Sequence, residues 1–286
     1  MRALFDVPAP AKLNLFLHIN GRRPDGYHLL QSVFMLIDWC DTLHFERRSD
    51  GEISREDLNG QALPADDLCT RAARALQAAT GCRDGVHIGL HKQLPAQAGM
   101  GGGSSDAATT LLALNRLWGL GLKRGQLESI GLTLGADVPF FLRGQNAWVE
   151  GVGEQISPIE LPAASFVVAK PPAGLETKVI FSDENLKRDT KLAILAGFAA
   201  IPWGFGHNDL QPVAERLCPL IAEGLDAFKA HGLQGRMTGS GSAIFARSSN
   251  GVPTELVHSL ESANWQIRGC SNMASHPLVG WVASDD

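Results

Sequence analysis

The sequence predicts an α+β protein of two domains, and three observations carry that prediction. The chain has 286 residues, more than one average domain. Its opening reads as sheet and its middle as strands mixed with helices. At Pro158 to Pro162 the composition turns loop-like before Phe166 to Ala169 resumes as strand. The expected domains are therefore residues 1–157 and 158–286.

Composition narrows the function classes. Hydrophobic residues make up 44% and charged residues 19%, as in ordinary globular proteins. A net charge of -5 supplies no basic field for a nucleic acid backbone or an anionic bilayer, although backbone amides can still bind one phosphate locally. The five cysteines are odd in number, scattered, and lack zinc or redox spacing. The first ten residues carry Asp6 and two prolines instead of an apolar leader, and no run of 18 apolar residues occurs anywhere. Together these point to the cytoplasm.

Lys12 to Asn20 alternates strictly, which predicts a strand with Leu13, Leu15, Leu17 and Ile19 on the core face. Lys12, Asn14, Phe16 and His18 share the other, partly polar face, so Lys12 and Asn14 can act together. A Pro24-Asp25-Gly26 turn leads to an apolar segment, a second alternating stretch at Asp41 to Arg47, and a polar loop over Asp50 to Pro64. Asp66 to Thr80 has helical spacing and stops at Gly81, and Val86 to Leu90 reads as strand. Small residues at Leu94 to Gly103 run into a helix over Ser104 to Leu117, and another helix is expected near Gln126 to Leu134. In the second half, helices are expected near Asp183 to Ala200 and Asp209 to Ala230, with a glycine turn at Thr238 to Ser242. Asn208 or Asp209 reads as a helix cap.

Gly99-Met100-Gly101-Gly102-Gly103-Ser104-Ser105-Asp106 places bare backbone directly before a helix N-terminus, where amides and partial positive charge favour phosphate. A flexible loop capped by Ser104 or Ser105 is the alternative reading. The segment lacks a Gly-Lys-Ser/Thr ending and the spacing of a dinucleotide fingerprint. It resembles instead the ATP-binding motif of the galactokinase, homoserine kinase, mevalonate kinase and phosphomevalonate kinase superfamily. Pro10 to Leu15 resembles that superfamily's first motif and Thr238 to Ala243 its third, in the same order. Within it, Gly26-Tyr27-His28, Gly135 to Pro139 and Glu150 to Glu154 resemble the 4-diphosphocytidyl-2-C-methyl-D-erythritol kinase family, and the likeness runs from Pro10 to the final strand region.

The resemblance implies an N-terminal ribosomal-protein-S5-like ATP-binding domain, a C-terminal ferredoxin-like domain and an active site between them. It implies ATP as phosphate donor with Mg²⁺, and an alcohol acceptor carrying a cytidine diphosphate group. It assigns Asp137 as base and Lys12 as the cation orienting it, although locally Asp137 also reads as a helix cap and Lys12 as a solvated strand lysine. ATP contacts fall on Lys92, Pro95, Gly99, Met100, Gly101, Gly102, Gly103, Ser104 and Ser105. Substrate contacts fall on Asn14, Tyr27, His28, Thr177 and Phe181. Ser104 or Ser105 would offer oxygen to the metal, and the sequence does not choose between them. Two departures stand out: Pro95-Ala96-Gln97-Ala98 where some relatives carry more glycine, and Asp67-Leu68 where Asn-Leu is frequent. Another alcohol kinase of the superfamily, or a nucleotide-binding protein without turnover, would keep the glycine loop.

Overall fold

The computed structural model describes residues 1–60, 64 and 66–283. β1 (Ala3–Arg22) and β2 (His28–Arg48) form one long antiparallel hairpin. Gly26 turns it at φ +92°, a backbone that glycine adopts without strain, and the Gly26 amide donates to Arg23 O at 2.9 Å. The apolar segment and the alternating stretch at 41–47 are thus one strand. Both faces of β1 are buried from Ala9 to Ile19, including the polar face with Lys12, Asn14 and His18, because the chain's second half packs over it.

β3 (Ile53–Asp57) lies inside the stretch read as loop; residues 61–63 of that reading fall outside the described residues. Its sequence, Ile-Ser-Arg-Glu-Asp, carries almost no apolar pattern, and it is held by parallel pairing with β4 (Gly85–His91). Between them runs α1 (Leu68–Thr80), capped by Asp67 and ended by Gly81 at φ +66°. α2 (Gly102–Leu117), α3 (Arg124–Leu132) and α4 (Val138–Arg143) follow, then β5 (Ala147–Glu150) and β6 (Gln155–Pro158). The sheet runs β3-β4-β2-β5-β6 with β1 against β2. A core including Phe45, Leu76, Leu111 and Phe140 fills the space between this sheet and α1, α2 and α4.

The second sheet has the order β10-β7-β9-β8, from β7 (Ser165–Lys170), β8 (Gly235–Met237), β9 (Ile244–Arg247) and β10 (Gln266–Ser271). With α7 (Gln211–Leu217) and α8 (Leu220–Ala230) after β7, and α9 (Thr254–Ser262) after β9, the connectivity is β-α-β-β-α-β, the ferredoxin-like plait. The expected helix over Asp209 to Ala230 breaks at Cys218, whose φ of -139° follows from the crowding that Pro219 imposes on its predecessor. Of the one expected over Asp183 to Ala200 only α6 (Leu195–Ala200) forms, and α5 (Thr177–Ser182) ends just before that stretch begins. Between them the Arg188 guanidinium donates to the carbonyls of Asp183 and Leu186, and Asp183 accepts from the Asn185 amide, so side chains take backbone groups a helix would need.

Strands β1 and β2 serve both halves. Leu17 and Ile19 pack with Val167, Ile221 and Phe228, while Leu13, Met35 and Trp39 pack with Phe166, Val168 and Phe245. The shared apolar seam fixes the two sheets around one cleft. Among the described residues no helix is long and apolar enough to cross a membrane. All five cysteines are free thiols.

Candidate active site

A cleft of about 830 Å³ opens between the two halves, a size suited to a nucleotide with part of a second substrate. The glycine loop forms its floor and is tied to both other motif segments. The Lys12 amide donates to Met100 O at 2.9 Å, and the Ser242 and Ala243 amides donate to Gln97 O and Ala98 O at 3.1 and 3.2 Å. Gly99 sits at φ +70°, and a Cβ there would lie 2.3 Å from Thr238 O, a backbone atom that cannot step aside. Gly99→Ala is therefore expected to lower unfolding stability by roughly 2–4 kcal/mol in urea titration, with both loops displaced. Gln97, at φ +51°, takes a left-handed backbone that glycine would adopt without strain.

Helix α2 starts at Gly102 behind Gly101 at φ +71°, two residues earlier than expected, and no side chain caps it. The amides of its first turn are thus free to face an anion from the cleft floor. Ser104 lines the cleft. Ser105 does not: it is fully buried and its hydroxyl donates to Pro10 O at 2.7 Å, which removes it from the nucleotide and metal contacts expected of it.

Lys12 and Asp137 meet in the cleft, Nζ to Oδ2 at 3.8 Å. Asp137 stands at the N-terminus of α4 but caps nothing with its side chain, so the helix-cap alternative fails and the carboxylate is available. Lys12 is 4% exposed, which rules out the solvated reading. Its ammonium lies 4.6 Å from the Phe34 ring centroid and donates to Asn14 Oδ1, while Asn14 Nδ2 donates to Ser32 Oγ at 2.9 Å. Asn14 thus lines the cleft and holds Lys12 in place. Burial pushes the Lys12 ammonium below the ordinary lysine range, and the Asp137 charge pulls it partly back.

Lys92 is buried as well, bonded to Asp41 and, at 2.7 Å, to Asp106. A lysine just after a strand is usually solvated, but here two buried carboxylates converge on it. Burial lowers its pKa, but the two carboxylates outweigh that and raise it. Asp41 Oδ1 also accepts the Gln93 and Leu94 amides at 2.6 and 2.7 Å, fixing the chain's entry to the glycine loop. Asp106 is pushed up to about 8, by burial first, with Lys92 opposing and Asp41 adding. Its folded pKa lies above its unfolded value, so its contribution to stability is present below the ordinary carboxylate range and fades as pH climbs through about 8. Asp106→Asn should therefore gain stability relative to wild type between pH 5 and 8, on the order of 1–3 kcal/mol, measured by denaturant titration at both pH values. Asp67 caps α1 through the Thr70 amide (2.9 Å) and accepts from Arg55 at 2.6 Å, so in this chain a carboxylate suits the position better than an amide would.

Pro95, Gly99, Met100, Gly101, Gly102, Gly103, Thr177 and Phe181 also line the cleft. Tyr27 and His28 do not line it. Tyr27 is 65% exposed, and the His28 ring lies 5.2 Å from that of Phe181, which places both beyond the Phe181 wall, at the rim. Asn208 Oδ1 accepts the Leu210 amide at 2.9 Å and so caps the turn that opens α7, as expected, while Asp209 Oδ2 accepts the Ile19 amide at 2.7 Å and Asn208 Nδ2 donates to Met237 O at 2.9 Å, joining β1 to the second sheet. Sequence reading missed Asp41 and Phe34. Asp41 merely opens an alternating stretch and Phe34 sits in an apolar one, so neither carried a signal.

Residues 67–145 match the GHMP kinases N terminal domain and residues 193–265 the GHMP kinases C terminal family. The chain is 65% identical to the 4-diphosphocytidyl-2-C-methyl-D-erythritol kinase of Paracidovorax citrulli (strain AAC00-1), over 100% of both chains. It is 62% identical to that of Variovorax paradoxus (strain S110), over 99% of this chain and 100% of the relative. A crystal structure of 4-(cytidine 5'-diphospho)-2C-methyl-D-erythritol kinase superposes with a TM-score of 0.79 at 34% identity, covering 93% of this chain and 98% of that one. By sequence, by domain content and by fold, the chain belongs to the 4-diphosphocytidyl-2-C-methyl-D-erythritol kinase family of the GHMP kinases.

Proposed function

We propose that the cleft moves the terminal phosphate of ATP onto the 2-hydroxyl of 4-diphosphocytidyl-2-C-methyl-D-erythritol, releasing the 2-phosphate and ADP. The step belongs to isoprenoid precursor synthesis by the methylerythritol phosphate route, and we place it in the cytoplasm. The observation that carries this reading is the pairing of buried Lys12 with an Asp137 carboxylate that faces the cleft without capping α4, beside the open N-terminus of α2, in a chain of this family.

Asp137 accepts the proton of the acceptor hydroxyl as that oxygen bonds to the terminal phosphorus and the bond to the ADP oxygen breaks. Lys12 orients the Asp137 carboxylate and offsets charge on the moving group. The amides at Gly102 to Ser104 hold the donor phosphates, and Lys92 and Pro95 line the nucleotide side of the cleft. Among the described residues no cluster of three or more His, Cys, Asp or Glu could cage a metal. That fits Mg²⁺, which keeps water ligands and is held through phosphates and one or two protein oxygens. Ser104 would offer it an oxygen, and it would supply charge neutralisation on the phosphates.

On the other wall Thr177 and Phe181 receive the acceptor, with Tyr27 and His28 at the rim taking its cytosine. Residues 1–157 act as the ATP-binding domain and 158–286 as its C-terminal partner. The partner molecule is a small cytidine-diphosphate alcohol, not a nucleic acid or a membrane. A coupled ADP-release assay with Mg-ATP tests the reading, comparing this alcohol with homoserine, mevalonate and galactose. Turnover confined to the cytidine-linked alcohol is expected; preferred turnover of any other would overturn the substrate assignment.

A further inference from the structure

His28, the first residue of β2, has its Nε2 3.0 Å from Arg188 Nε. A guanidinium can only donate, so Nε2 must be the bare, accepting nitrogen and the ring hydrogen must sit on Nδ1. That is the opposite of the tautomer histidine prefers in water. Nδ1 has no partner among the described residues and is not among the buried unpartnered atoms, so it faces out as an N–H donor. The lock is braced. Arg188 also donates to Asp183 O at 2.6 Å and Leu186 O at 3.0 Å, and the His28 ring rests on Phe181, a cleft wall. The charged groups acting on His28 are Arg188 and Arg22; burial first, then these two, lowers its pKa, which keeps the ring neutral.

We infer that Arg188 is a positioning residue that fixes His28 as an Nδ1–H donor and thereby selects cytosine over uracil in the acceptor. The inference rests on the reading that the acceptor carries a cytidine group taken up at Tyr27 and His28. Cytosine N3 is an acceptor and takes a hydrogen bond from a fixed N–H; uracil N3 bears a hydrogen and meets it head-on. A ring free to change tautomer would receive either base.

The test has two arms. In protein labelled with ¹⁵N-histidine, two-bond ¹H–¹⁵N correlation reads the tautomer directly, with His28 assigned by comparison with His28→Asn. Wild type should show Nδ1–H, Arg188→Met should revert to Nε2–H, and Arg188→Lys, which keeps a donor, should retain the wild-type pattern. In the kinetic arm, the ratio of kcat/KM for the cytidine-linked alcohol over its uridine-linked analogue should fall at least about tenfold in Arg188→Met, carried by KM, and be rescued in Arg188→Lys. An Nε2–H ring in wild type, which needs no variant to fold, overturns the inference. So does an unchanged ratio in a variant whose tautomer has reverted. Wild type that turns over neither alcohol removes the substrate reading itself, and this inference with it, whatever the tautomer.

Discussion

Asp137→Asn lowers kcat by about 10²- to 10⁴-fold, the range for loss of a positioned general base, and leaves KM for ATP near the wild-type value. Asparagine matches aspartate in size, and Asp137 contributes no side-chain hydrogen bond to α4, so the helix does not depend on its charge. What disappears is the proton acceptor and the negative partner of Lys12. Rapid-quench kinetics at saturating ATP separate the two quantities: a fall in kcat with KM unchanged marks a loss confined to the transition state. Asp137→Asn with full turnover would mean the acceptor hydroxyl loses its proton elsewhere.

Lys12→Met produces the second large effect, a fall of about 10²- to 10³-fold in kcat, with a Tm no lower than that of wild type. The two halves of this result have one cause. The folded pKa of Lys12 lies below its unfolded value, so the unfolded chain holds more protons between the two. Its burden on the folded state is full below the folded pKa and is relieved as pH rises toward the ordinary lysine range. Removing the charge at neutral pH removes that burden, while the chemistry loses its cation. By the same sign, wild-type kcat falls as pH rises through the lowered Lys12 value, at a lower pH than an exposed lysine would allow. A pH–rate profile paired with thermal unfolding of both proteins checks each part; a variant that melts well below wild type would show the lysine to be structural.

Alternation along β1 was enough to put Lys12 and Asn14 on one face, and the run of glycines was enough to locate the cleft floor. Their partners were not legible. Asp41, Lys92 and Asp106 come together from a strand, a strand end and a helix, and only tertiary packing makes a strand-end lysine a buried one. Ser104 and Ser105 look alike in sequence, yet α2 turns one to the cleft and the other to Pro10 O. The break at Pro219 obeyed a local rule, whereas the melted stretch between α5 and α6 depends on Arg188, whose reach for His28 spans 160 positions. β3 lacked a pattern because pairing alone sustains it. Motif resemblance supplied the roles of Tyr27 and His28; the structure moved them to the rim and supplied the arginine behind them.

The central claim is that Lys12 and Asp137 direct the terminal phosphate of ATP to one alcohol. Single-turnover quench with γ-³²P-ATP, excess enzyme and 4-diphosphocytidyl-2-C-methyl-D-erythritol tests it most directly. Label should pass to the 2-phosphate of that alcohol in wild type and stay on ATP over the same interval in Asp137→Asn. Label recovered as free phosphate, or transferred equally fast by the variant, would contradict the account.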